Sequence, residues 1–217
     1  MHGYRKLKME EKFEHVVYSK NVIEFVTVAN EFCLLLETCS KISKIEFIET
    51  AQKLLPLLYL KASLLPKNET ELDEDVEKFV TEADWAFIHS SVQSKMGAHD
   101  EFLEVFESEM EYSDTPLVAS ISENFADIYQ DLKDFITSYK IGTMEVMNDA
   151  LWDLNNNFYQ YWGQNLVNSL RAIHHLVAQK ENLDDDFDSP SPQNLDDIDM
   201  SNSILSQRQR EWGEDKE

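Results

Sequence analysis

The stretch ADIYQDLKDF, residues 126–135, sets carboxylates at a spacing that could do chemistry. Read as a helix at about 100° per residue, Asp127, Asp131 and Asp134 share one face with Glu123, inside an arc of roughly 80°. Such a row can bind a metal, act in acid–base catalysis, dock a basic partner, or be a hydrated face. Like charges at i,i+4 repel by a few tenths of a kcal/mol each, so a counter-charge is expected. The apolar set Ile121, Phe125, Ile128, Leu132, Phe135 and Tyr139 centres about 120° away. The acids are therefore expected to border the core or face water. Lys133 lies on another side of the helix. Arg171 is the only arginine between Arg5 and Arg208. If its helix packs antiparallel to the 121–140 helix, it approaches the start of the stripe and forms an Arg–carboxylate fork.

A second constellation is WDLNNNFYQYWGQN, residues 152–165. Trp152, Asn155, Tyr159, Trp162 and Leu166 share one face; Leu151, Leu154, Phe158, Tyr161 and Asn165 line another. A helix apolar on two sides reads as a central helix touched by several neighbours. The functional alternative is a ligand or peptide groove, with aromatics for area and amides for direction. Its candidate residues are Asn148, Asp149, Trp152, Asn156 and Trp162. His174 and His175 diverge by about 100° and do not suit one metal from the same helix. No histidine follows a Glu by three residues, which the di-metal carboxylate bundles require. There is no zincin motif, EF-hand loop, phosphate-cradling glycine loop or nucleophile elbow. No catalytic residue, cofactor or metal is assigned.

The elements that must carry these residues are helical. Five Gly and five Pro in 217 residues are too few for the turns of a β-sandwich or barrel. Periodicity predicts a first helix over about 10–39. Ser43 with Glu46 then starts a second, kinked at Pro56 and ended by Pro66. Residues 67–79 read as an acidic connecting loop. Thr81 with Asp84 caps a third helix that Gly97 closes, and a short helical piece, DEFLEVFES, is expected next. Either Thr115-Pro116 or Ser120 with Glu123 starts the helix that stops at Gly142. Thr143 opens a last long helix, with a bend expected at Gly163. Cys33 and Cys39 point to different faces and are expected as buried, unbridged thiols.

The formal net charge is −23. Residues 181–217 hold 12 acids and 3 bases, leaving 30 acids and 16 bases for residues 1–180. This balance disfavours nucleic acid and anionic membranes and suits a basic protein partner. The charged N-terminal residues lack an apolar h-region, and no run is long enough to span a bilayer, so a cytoplasmic protein is expected. The expected organisation is an all-α domain of five or six helices over 1–180 and an acidic, partly disordered tail over 181–217. Trp212, in QRQREWGEDKE, is that tail's candidate linear motif.

The segments PLLYLKASLLP, FVTEADW, SDTPLVASISENFADIYQDLKDFI and VMNDALWDLNNNFYQYWGQNLVNSLRAIHHL occur in order. They resemble the bacterial proteins grouped as domain of unknown function 5063, over most of residues 15–180. The resemblance implies a compact all-helical intracellular domain and assigns no activity, cofactor or catalytic residue. The leading expectation is a non-enzymatic interaction module or adaptor, with the acidic stripe or the Trp/Tyr/Asn helix meeting a basic or helical partner. The alternative is a small-molecule or metal-binding helical domain, or an enzyme of that kind, using Asp127, Asp131 and Arg171. A third is an acidic mimic of nucleic acid, which would need a continuous acidic surface rather than one stripe.

Overall fold

Caps and apolar periodicity divide the chain into helices, and the computed structural model describes residues 15–103 and 117–179. A 3-10 turn, Val16–Tyr18, leads into α1, Lys20–Glu37. Helix α1 buries Val22, Phe25, Ala29, Phe32 and Leu36 at helical spacing. It stops two residues short of the expected end, where the Thr38 hydroxyl and N–H both bond back to the Leu34 carbonyl. It also starts later than the expected residue 10, because His15 and Ser19 are extended on either side of the 3-10 turn; residues 10–14 lie outside the described residues. Helix α2, Lys44–Ser63, begins where the Ser43 hydroxyl accepts from the Glu46 N–H at 3.2 Å. It continues through Pro56, which sits on the exposed side.

Residues 65–80 have no helix or strand. Helix α3, Glu82–Met96, follows with both halves of the expected Thr81–Asp84 capping box in place. Gly97 ends it at φ 58°, a backbone geometry that side chains resist. The helical piece expected after it does not form over 101–103. Instead β1, Glu101–Leu103, pairs antiparallel with β2, Val118–Ser120, and Phe102 faces Ala119. The reason lies in the adjoining Asp100. Its carboxylate accepts from the Ser122 N–H at 2.8 Å and hydroxyl at 2.6 Å, and its carbonyl from the Ile121 N–H. These bonds clamp the two segments side by side. The rest of DEFLEVFES and Thr115-Pro116 lie outside the described residues.

Helix α4, Ile121–Ile141, begins at the second expected start, where the Ser120 hydroxyl accepts from the Glu123 N–H. Helix α5, Met144–Asn157, passes through a π segment, Phe158–Trp162, into α6, Gly163–Gln179. Helix α4 is the centre of the molecule: α1, α3, α5 and α6 all pack on it, while α2 packs on α1 and α6. The core is aromatic at these crossings. Phe32 meets Phe125 edge-on at 5.4 Å, Phe25 meets Phe135 at 5.8 Å, and Phe158 meets Trp162 at 4.7 Å. Each such pair contributes about 0.5–1.5 kcal/mol beyond area burial. Cys33 and Cys39 are buried and free, and burial pushes both thiols up, away from the reactive thiolate. Among the described residues, no helix is long and apolar enough to cross a membrane.

The two apolar faces expected around residues 151–166 prove to be one. Leu151, Leu154, Phe158, Trp162 and Leu166 are buried together at steps of three and four, with Trp152, Tyr159 and Tyr161 exposed on the flanks. Just before Gly163, where a bend is expected, the helix widens into the π segment. Its widened turn brings the Phe158 carbonyl against the Gly163 Cα: a Cβ there would sit 2.3 Å from that oxygen and 2.9 Å from the Phe158 ring. Alanine favours helix over glycine by about 1 kcal/mol, but the clash outweighs it. Gly163→Ala is expected to destabilise the protein by about 2 kcal/mol or more in urea denaturation; a stabilised variant would show that the π turn relaxes to an ordinary helix at little cost.

Candidate functional site

An irregular segment of backbone must have its N–H groups satisfied by something other than a ladder. Residues 66–80, here called the strap, solve this with side chains from α4 and α5. The Asp149 carboxylate, 2 % exposed, accepts from the Glu71 N–H at 2.7 Å and the Leu72 N–H at 2.8 Å. Asn148 donates to the Glu69 carbonyl at 2.7 Å and accepts from the Asn68 amide at its own carbonyl and side-chain oxygens. Asp134 Oδ1 accepts from both the Phe79 and Val80 N–H groups, at 2.7 and 2.8 Å. Lys78 closes on Asp153 at 2.6 Å. His15, from before α1, reaches Glu71 at 3.0 Å.

The carboxylates of the α4 stripe are therefore not a hydrated row. Asp134 is 3 % exposed and buried under the strap. Asp131 is half-buried and accepts from the Asn157 amide at 3.1 Å. Asp127 is half-buried and accepts from the Trp85 indole at 2.9 Å, from the Tyr161 hydroxyl and from the Asn165 amide at 3.5 Å. Only Glu123 is exposed. The expectation that these acids face water or border the core holds for Glu123, Asp127 and Asp131 and fails for Asp134, for a physical reason. A central helix has neighbours on every side, so its polar face is covered too. The covering elements supply neutral donors, so the cost of desolvation is offset by hydrogen bonds rather than by opposite charge.

The expected Arg171 fork does not form. The Arg171 guanidinium donates to the Leu103 carbonyl at 2.6 Å, at the end of β1. Among the described residues it makes no ion pair with the stripe, and Lys133 turns to Glu37 at 2.6 Å. Trp162 is fully buried, and its indole donates to the Leu154 carbonyl. Asn148 and Asp149 are spent on the strap. Trp152 is exposed at the flank of its helix and Asn156 is half-buried. Trp212 lies outside the described residues. His174 and His175 are both exposed.

Two groupings emerge that sequence spacing alone did not show. Asp131 and Asp134 meet Asp153 and Lys78 around a small open cleft, with Val76 and Phe135 also in its wall. Burial pushes Asp131 up to about 6, and the nearby Asp153 and Asp134 charges act in the same direction; the Asn157 bond and Lys78 oppose them. Around Asp127, Trp85 stacks on His89 at 5.1 Å, and burial together with the Asp127 charge pushes Tyr161 up to about 12. With its oxygens taken by three donors, Asp127 has little capacity to act as base or ligand. Among the described residues, no three His, Cys, Asp or Glu side chains converge as a metal would need. Trp85, Asn157, Asp153 and Lys78 had no local signal, because each gains its role only from a partner more than twenty residues away.

Comparison with known proteins agrees with this architecture. The family described as domain of unknown function (DUF5063) matches residues 16–179. The crystal structure of protein BF1032 from Bacteroides fragilis is similar to this chain at 40 % identity and a TM-score of 0.67, covering 82 % of this chain and all of that one. No curated protein matches.

The magnitudes separate the strap's ties. Removing the buried Asp149 strands two N–H groups, whereas the Lys78–Asp153 pair is partly exposed and screened. Asp149→Ala is expected to cost about 2–3 kcal/mol and to speed proteolysis within residues 66–80, while Asp153→Ala costs under about 1 kcal/mol. Equal costs in denaturant titration would mean that the backbone ties do not hold the strap.

Proposed function

The chain belongs to the DUF5063 family, and we propose that within it this chain is a non-enzymatic interaction module whose binding face is the strap. The observation that carries this reading is how the strap's charges are used. Glu69, Glu71, Asp73, Glu74, Asp75 and Glu77 are all exposed. Among the described residues only Glu71 has an ion-pair partner, His15. The strap's backbone is fixed by buried carboxylates while its acidic side chains are exposed, so a preorganised acidic surface is presented at low entropic cost on binding.

The partner this surface fits is a basic protein segment with an apolar side. Leu57 and Leu60 on α2 and Leu64 at its C-cap form an exposed row, and the chain runs from there through Leu65 into the strap. A basic amphipathic segment would lay its apolar face on that row and its cations on the strap. The stripe on α4 supports this role less well, because its carboxylates already accept internal bonds.

The test uses the intact chain and a variant with Asp73, Glu74, Asp75 and Glu77 replaced by their amides, each as bait in a native lysate. Exposed pairs contribute roughly 0.5 kcal/mol each, so four give about 2 kcal/mol, on the order of thirtyfold in affinity. The expected result is a basic partner held by the intact chain, released by salt, and weakened by about that factor in the variant. Capture that is equal for both chains, or insensitive to salt, would sink the reading.

A further inference from the structure

The cleft under the strap holds an imbalance of charge. Asp131, Asp134 and Asp153 face it, and Lys78 is the one cation that lines it. Lys78 bonds to Asp153 and feels the charges of Asp134 and Asp131 as well. Asp134 Oδ1 is taken by two strap N–H groups, but its Oδ2 is buried and finds no hydrogen-bond partner among the described residues. Asp131 accepts one amide bond, from Asn157. Three carboxylates around one part-buried cleft with one ammonium repel each other, and one bound proton would relieve that.

We propose that this cluster is a proton-operated latch: Asp131 takes up a proton when residues 76–80 close over the cleft and releases it when they lift. The groups that face Asp131 come from all sides of the cleft. The strap contributes Lys78, α5 contributes Asp153 and the Asn157 amide, and α4 contributes Asp134. Closing the strap places Val76 and Lys78 in the wall beside Asp131 and covers part of its surface. Lifting the strap rehydrates the carboxyl and separates Lys78 from the acids.

The direction of the pH effect follows from burial. In the closed state Asp131 is pushed up to about 6, mainly by desolvation. Open and hydrated, it returns to the ordinary carboxylate value of about 3.9. The closed state therefore binds more protons between those values. Closure is favoured as pH falls from neutral toward about 4, and that advantage is lost as pH rises through about 6. Between about pH 7 and about pH 5 the opening equilibrium should fall roughly tenfold. The latch concerns the strap itself and holds whether or not the strap meets a partner.

Hydrogen exchange of the intact chain, read at the Phe79 and Val80 amides and corrected for the intrinsic pH dependence of exchange, tests this directly. The expected result is about tenfold greater protection near pH 5 than near pH 7. In Asp131→Asn the protection should be flat with pH and as high at neutral pH as the intact chain's at pH 5. Flat corrected protection in the intact chain, or the same slope in the variant, would overturn the latch. Carboxyl NMR titration of Asp131 in the intact chain gives a second readout that needs no variant. A midpoint near 6 that tracks the protection change supports the proposal, and a midpoint in the ordinary carboxylate range refutes it.

Discussion

The structure depends on tying an irregular run of backbone to the helices beneath it. Residues 65–80 have no ladder, and the N–H groups of Glu71, Leu72, Phe79 and Val80 are part-buried where they meet α4 and α5. Leaving such a group unpaired costs about 1–3 kcal/mol, so several would exceed a large part of a domain's net stability. Asp134 and Asp149 each answer two of them, and Asn148 answers a carbonyl and an amide. A carboxylate is well suited to this task. It has two oxygens with open lone pairs, it accepts only, and a charge-assisted bond is shorter and stronger than a neutral one. Acids inside a strongly acidic protein are here substitutes for a neighbouring strand.

That requirement explains the composition of α4. A helix packed on by four others would ordinarily be apolar all round. Helix α4 instead keeps a broad apolar side, from Ile121 through Phe125, Ile128, Leu132 and Phe135, and opposes it with carboxylates. Beyond the exposed Glu123, those carboxylates face elements rich in donors. Trp85 from α3, Asn157 at the end of α5 and Tyr161 of the π segment each deliver one, and the strap backbone delivers two. The polar side of α4 is a second packing interface, held by direction-specific bonds where the first is held by area. Losing shape on the apolar side costs contacts, and losing a donor on the polar side strands a charge, which is the more expensive failure.

Much of this was legible in the sequence wherever the determining physics is local. Ser43, Thr81 and Ser120 each stand at a helix start and bond the residue three positions on, because a cap needs only its own first turn. The all-helical architecture followed from periodicity and the scarcity of Gly and Pro. What was not legible is what arrives from a distance. A helical wheel places Asp134 far from the core centre of its own helix and cannot know that residues 79 and 80 will lie across it. The same blindness sent Arg171 to the stripe, when the open carbonyl of Leu103 on a strand end takes it. It also made a helix of the segment after Asp100, where pairing with residues 118–120 prevails. Gly163 read as a bend; only the π turn shows that the Phe158 carbonyl excludes a Cβ there.

Asp127 and Asp131 sharpen the point about sites. They are the same residue type on one helix face, a single turn apart, and a motif search treats them alike. Three donors converge on Asp127, whereas Asp131 has one amide and sits in a part-buried cleft beside two further acids. What distinguishes them is how the lost hydration is replaced. Where donors replace water one for one, a carboxylate serves as a structural acceptor. Where they do not, the balance shifts toward the protonated form. An acidic helix therefore yields a chemically responsive position not where its acids are most crowded in sequence, but where its neighbours leave one of them least well solvated.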